Sequence, residues 1–138
     1  MALQGPENKE ALVLIVDDDV LFLRGLTRLL RNQPFRIITA RSGEEAQEVL
    51  KRWPVHVIVC DEHMPGMSGT DLLAWIARHF PSTVRIVLTG QPDLPTAMKA
   101  INDGQVFRFL TKPCREFDLV MAIHEGLDCF EKQASLPR

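Results

Sequence analysis

Polar groups of complementary chemistry stand at the ends of four apolar runs in this chain. Residues 12–16 end in Asp17-Asp18-Asp19, residues 55–60 end in Asp61, residues 86–88 end in Thr89, and Phe109-Leu110-Thr111 leads into Lys112-Pro113. If those runs are strands of one parallel sheet, the groups collect at its carboxyl edge, where open α/β sheets bind ligands. Neighbouring strands lie about 4.8 Å apart, so Asp17, Asp18 and Asp61 can converge on one ion. Carboxylates that close repel one another, and without a cation some are driven toward protonation. A hard divalent ion shared by carboxylates, waters and phosphate oxygens matches the habits of Mg²⁺. Thr89, one strand from Asp61, can bring its hydroxyl to a phosphoryl oxygen. Lys112, two strands and roughly 10 Å away, can cover most of that distance with its side chain. Taken singly, a strand-end aspartate is usually a turn or cap residue, and Asp19 reads as a helix N-cap. Taken together, the set points to phosphoryl transfer onto an aspartate.

The elements that must position these groups alternate in type five times. Residues 12–16, 35–40, 55–60, 84–88 and 106–110 are short, rich in β-branched or aromatic residues, and bounded by Pro, Gly or Asp, as strands are. Between them runs the helical period: Phe22, Leu26, Leu29 and Leu30; Ala46, Val49, Leu50 and Trp53; Leu72, Leu73, Ile76 and Phe80; Leu94, Ala97, Met98 and Ile101; Val120, Ile123, Leu127 and Phe130. Ser42 with Glu45 forms a capping box, Gly104 suits a helix end, and Pro34, Pro54 and Pro81 each fall just past one. Strict βα alternation predicts a doubly wound α/β fold, a five-stranded parallel sheet with helices on both faces. The first strand is apolar throughout and the third nearly so, whereas Arg36 and Arg108 interrupt the second and fifth, as edge strands tolerate. That gives the flavodoxin-like order 2-1-3-4-5, with its switch point between the strands ending in Asp17-Asp18 and Asp61.

Composition sets limits. The 138 residues fit one domain with its own core. A net charge of −2 gives no reason to expect nucleic acid as a direct partner, the apolar runs are too short to span a bilayer, and residues 1–10 lack a signal's apolar core. Cys60, Cys114 and Cys129 form neither a disulfide framework nor a zinc pattern, so a reduced, cytoplasmic protein is expected. Residues 1–10 read as a flexible leader, 11–132 as the domain and 133–138 as a short tail. His56, His79, Cys60, Trp53 and Trp75 read as surface or packing residues rather than ligands.

The stretches Leu14-Ile15-Val16-Asp17-Asp18-Asp19, Val59-Cys60-Asp61-Glu62-His63-Met64-Pro65-Gly66-Met67-Ser68-Gly69, Leu88-Thr89-Gly90 and Thr111-Lys112-Pro113 resemble the receiver domain of two-component response regulators, in family order and spacing over about residues 11 to 130. The resemblance implies that Asp61 accepts a phosphoryl group from a sensor histidine kinase or phosphotransfer protein. It implies that Asp17, Asp18, Asp61 and the backbone carbonyl of His63 hold Mg²⁺, that Thr89 and Lys112 bind the phosphoryl group, and that Lys112–Pro113 is a cis peptide. Phe109 takes the place of the switch aromatic, often Tyr in this family, and lacks its hydroxyl. The signal would pass through the face of the fourth helix, fifth strand and fifth helix to an output domain or effector, with no catalysis beyond the chain's own phosphorylation and dephosphorylation. Phe107-Arg108-Phe109-Leu110-Thr111-Lys112-Pro113-Cys114 is more similar to receivers attached to HD-GYP-type phosphodiesterases than to transcription-factor receivers.

Three other readings compete. A Mg²⁺-dependent phosphatase of the haloacid dehalogenase type resembles Asp-x-Asp at its nucleophile, but Asp61-Glu62-His63 lacks the second aspartate. A flavodoxin-like binding module needs a Ser/Thr/Gly-rich phosphate loop after the first strand, and none follows. A phosphorylation-independent pseudo-receiver would have no need of the full set of site residues.

Overall fold

The computed structural model describes residues 11–91 and 93–135. Five strands alternate with five helices: β1 Ala11–Val16, α1 Val20–Leu29, β2 Phe35–Ala40, α2 Gly43–Arg52, β3 Val57–Cys60, α3 Gly69–His79, β4 Val84–Thr89, α4 Leu94–Gly104, β5 Arg108–Thr111 and α5 Glu116–Ser135. The strands form one parallel sheet in the order β2-β1-β3-β4-β5. The leader expected over residues 1–10 lies outside the described residues, and of the tail expected at 133–138 the first three residues continue α5.

Side-chain alternation along the strands divides the core into two layers. Leu12, Leu14, Val16, Ile58, Cys60 and Val87 face α2, α3 and α4, meeting Ala46, Leu50, Leu72, Leu73, Ile76 and Ala100. Val13, Ile15, Val57, Val59, Ile86 and Leu88 face α1 and α5, meeting Leu23, Leu26, Leu30, Leu119, Ala122 and Ile123. β3 and β4 are buried along their whole length, whereas Arg36 and Arg108 are exposed on the two edge strands, as the sequence predicts.

Helix starts follow local chemistry. Asp19, Ser42, Ser68 and Asp93 each accept a hydrogen bond from a backbone N–H of the first turn, which satisfies donors the helix leaves orphaned. Glu45 closes the predicted capping box one residue early, on the N–H of Arg41.

Several expectations about the helices need correction. On α1 the expected Leu26 and Leu30 are buried, but Leu23 joins them in place of Leu29, which is 45% exposed. Trp53 ends α2 with half its surface exposed, having left the helical path as its C-cap. On α5 the buried line is Leu119, Ala122, Ile123 and Gly126, leaving Val120, Leu127 and Phe130 only half-covered. The apolar stripe of α4 faces outward: Leu94, Met98 and Ile101 are exposed, and the helix buries only Ala100 and Gly104.

Gly104 is the last helical residue rather than the left-handed cap, which is Gln105 at φ 51°. The glycine is instead a point of close approach, where an added Cβ would lie 2.9 Å from the Cβ of Leu73 on α3. Two strands also begin late. β3 starts at Val57, although His56 already bonds Leu12 and Val84 of the neighbouring strands through its N–H and carbonyl, and β5 starts at Arg108.

Candidate functional site

The turn after β1 builds the acidic corner. Asp17 continues the buried strand, and one carboxylate oxygen accepts the N–H of Asp19 at 2.9 Å. Asp18 and Asp19 are exposed, and Asp19 is committed to capping α1. Asp61 follows the last residue of β3, pinned by its N–H to the carbonyl of Val16 at 3.0 Å. This main-chain link brings the two strand ends together, and ligand oxygens of Asp17, Asp18 and Asp61 all lie within 4.8 Å of one another.

Lys112 supplies the positive charge. Its ammonium donates to Asp17 at 2.7 Å and stands 3.9 Å from the Asp61 carboxylate. The Phe22 ring of α1 lies beneath it, with the ammonium 4.1 Å from the ring centroid, a cation–π contact. The Lys112 N–H also donates to the carbonyl of Thr89 at 2.9 Å, and Lys112–Pro113 is cis. The lysine is therefore held at its backbone and at its ammonium.

Burial and charge act against each other at Asp17. Desolvation pushes its carboxyl above the ordinary range, the hydrogen bonds from Lys112 and the Asp19 N–H pull it back, and the nearby Asp61 charge pushes it up again, with a net upward shift. The Cys60 thiol is driven far up by full burial and then by Asp61, Glu62 and Asp17; it donates to the carbonyl of Asp61. It is a packing group, as the sequence reading holds.

Thr89 ends β4 almost wholly buried, and its hydroxyl accepts the N–H of Gln91 at 3.3 Å. Its direct partner across the ladder is Thr111. Phe109 pairs with Val87, two residues earlier on the same face, so the threonine and the aromatic are diagonal rather than adjacent. Phe109 is half-buried against the α2–α3–α4 layer.

Two features escaped the sequence reading. Glu62 is buried, and its carboxylate accepts the Thr70 hydroxyl at the start of α3. Burial raises its pKa, opposed by Thr70 and by His63. No spacing rule links positions 62 and 70; the turn through Gly66, at φ 77°, folds them together. Gly69 then packs so closely that a Cβ there would collide with the Asp61 carbonyl oxygen. The second feature is the His63 side chain, whose Nε2 lies 2.8 Å from the Gln91 carbonyl, joining the loop after β3 to the loop after β4.

Comparison with known proteins places this corner in a family. The response regulator receiver domain family matches residues 13–124. The hydrogenase transcriptional regulatory protein HoxA of Cupriavidus necator is 32% identical over 95% of this chain and 27% of its own length. The signal receiver domain of an HD domain-containing protein from Pseudomonas fluorescens superposes with a TM-score of 0.87 at 36% identity, covering 89% of this chain and 98% of that one. An adenylate cyclase structure from Rhodopirellula baltica superposes with a TM-score of 0.85 at 42% identity, covering 91% and 93% of the two chains. The chain spans about a quarter of the length of the first curated relatives it matches. It belongs to the response regulator receiver domain family and is a phosphorylation-dependent signalling switch.

Proposed function

We propose that Asp61 is the phosphoacceptor and that Asp17, Asp18, Asp61 and the His63 carbonyl form a Mg²⁺ site. The observation that carries this is the convergence of three carboxylates within 4.8 Å beside the Lys112 ammonium. The donor set fits the ion: it is all hard oxygen, and Asp17 is buried with only part of its charge offset. When bound, Mg²⁺ would supply charge neutralisation to the oxygens of the transferring group.

The chain's own residues account for the rest. One Asp61 oxygen attacks the phosphorus in line; the P–N bond of the donor phosphohistidine breaks, and the imidazole leaves with that electron pair. Lys112, already poised between Asp17 and Asp61, holds negative charge on the product acyl phosphate. The Thr89 hydroxyl donates to a phosphoryl oxygen, drawing the loop after β4 toward the site and letting Phe109 turn inward. The altered surface is the face of α4, β5 and α5, where Leu94, Met98 and Ile101 await a partner. That is a two-state element biased by a local charge. None of the described helices is long and apolar enough to cross a membrane, and we place the domain in the cytoplasm with a histidine kinase or phosphotransfer protein as donor. The likeness to the receiver of an HD domain-containing protein supports an HD-type output, whereas HoxA supports a transcriptional one; the sequence flanking this segment in its gene decides between them.

The direct test is incubation with acetyl phosphate and Mg²⁺, read by intact mass. One phosphoryl group is expected on the parent and none on Asp61→Asn. Equal labelling of the Asn variant overturns the assignment, and turnover of a generic phosphomonoester would favour the phosphatase reading instead.

A further inference from the structure

Between Val20 and Gly43 the chain carries five arginines and no acidic residue, although its net charge is −2. Folding gathers all five around one feature. Arg24 and Arg28 stand one turn apart on α1, Arg31 stands in the turn that follows the helix, and Arg36 and Arg41 stand on and just beyond β2. Together they line a groove of about 790 Å³ between that helix and the outer strand. All five are exposed, and among the described residues none has a carboxylate within ion-pair distance.

The groove has a second property that the charge does not explain. β2 is an edge strand whose only neighbour is β1. The carbonyl of Ala40 accepts the Asp17 N–H at 3.1 Å, so Ala40 turns its peptide groups toward β1. By the alternation of a parallel ladder, Thr39 and Ile37 turn theirs off the sheet edge. Both residues line the groove. Its wall therefore offers main-chain donors and acceptors in strand register, flanked by guanidinium groups that match carboxylates bidentately.

We propose that this groove is a docking site for an acidic polypeptide segment, which binds extended along the free edge of β2 with its carboxylates on the arginines. The six residues of β2 span about 20 Å at strand rise, so about six residues of the partner would be engaged. Nucleic acid fits less well. The groove has no Trp or exposed aromatic on which a base could stack; its apolar lining is Val20, Leu23, Leu30, Ile37 and the buried Phe35. The inference does not require phosphorylation at Asp61, because the five arginines and the free edge of β2 are in place without it.

The test is a titration of the unphosphorylated protein, followed by backbone and arginine Nε NMR, with a blocked hexapeptide of alternating Glu and Val. Saturable shifts are expected at the amides of Ile37 and Thr39 and at the guanidinium groups of Arg28 and Arg36. Arg28→Gln with Arg36→Gln should weaken binding at least tenfold, whereas the two Arg→Lys changes should restore part of it; an unchanged amide spectrum elsewhere verifies folding. A hexapeptide of alternating Glu and Pro keeps the charge but cannot complete the ladder, and it should bind at least tenfold more weakly. Equal affinity for that peptide, or for an oligothymidylate of the same charge, would overturn the proposal in favour of a general anion surface. Absent shifts, or shifts confined to other faces, overturn it outright.

Discussion

The imidazole Nε2 of His63 and the carbonyl oxygen of Gln91 lie 2.8 Å apart, strapping the loop that follows the acceptor strand to the loop that follows Thr89. The loops that follow Asp61 and Thr89, the proposed acceptor and responding hydroxyl, are thus joined before any phosphoryl group arrives. His63→Ala removes the strap but keeps the backbone carbonyl proposed as a metal ligand. Hydrogen exchange at the amides of Gly90 and Gln91 should speed up several-fold, with labelling by acetyl phosphate retained. Unchanged exchange would show that the contact holds nothing.

Metal binding should register as stability. Binding linkage adds about 2.7 kcal/mol at a hundredfold excess over the dissociation constant. Asp18→Asn should cut most of that gain. Because Asp18 is exposed, the same change should raise metal-free stability by less than about 0.5 kcal/mol. Thermal melts with and without Mg²⁺ measure both, and a parent melt indifferent to Mg²⁺ rules the site out.

Gly69→Ala should be among the most damaging single changes in the chain. The new Cβ would collide with the Asp61 carbonyl oxygen and lie 2.8 Å from the Glu62 Cα, both main-chain atoms with little freedom to move. Overpacking of this kind costs about 1–3 kcal/mol, and more where backbone must shift. Urea denaturation should show a loss at or above the top of that range, together with slower phosphorylation, since the displaced carbonyl belongs to Asp61, the proposed acceptor. A near-neutral melt would mean that α3 slides freely away from the acceptor loop.

Thr89→Ala should leave Mg²⁺ binding intact while weakening the response to beryllofluoride across α4, β5 and α5. Since Phe109 faces Val87 rather than Thr89, the proposed coupling would pass through the shared sheet face rather than through a directly paired contact. Backbone NMR shifts over residues 98–112 are the readout. If the variant reproduces the parent's shifts at that face, the relay does not run through Thr89.

Much of this architecture was legible because it follows from local rules. Arg36 and Arg108 marked the edges, and the acids, hydroxyl and lysine fell at strand ends, where parallel topology must gather them. What stayed hidden depends on how elements turn against one another. Leu23 and Leu29 are the same residue type, and only docking on the sheet decides which is covered. The α4 stripe has full helical periodicity yet is exposed, because periodicity records an apolar face without saying whether this chain or another covers it. Glu62 and Thr70 meet only through a turn with a left-handed glycine.

Arg85 gives the responding face its geometry. Its guanidinium lies buried at the start of β4 and donates to the carbonyls of Thr83 and Pro81 and, at 2.8 Å, to that of Gly104 at the far end of α4. Gly104 is also wedged against Leu73. One end of α4 is thereby anchored to the floor of the sheet, while the other follows the loop after Thr89. Under the proposed switch, a displacement of that loop would turn the helix about Gly104, moving Leu94 most and Met98 and Ile101 less. The helix would then act as a lever with its fulcrum at the arginine, its apolar side chains sweeping distances graded by their place along it.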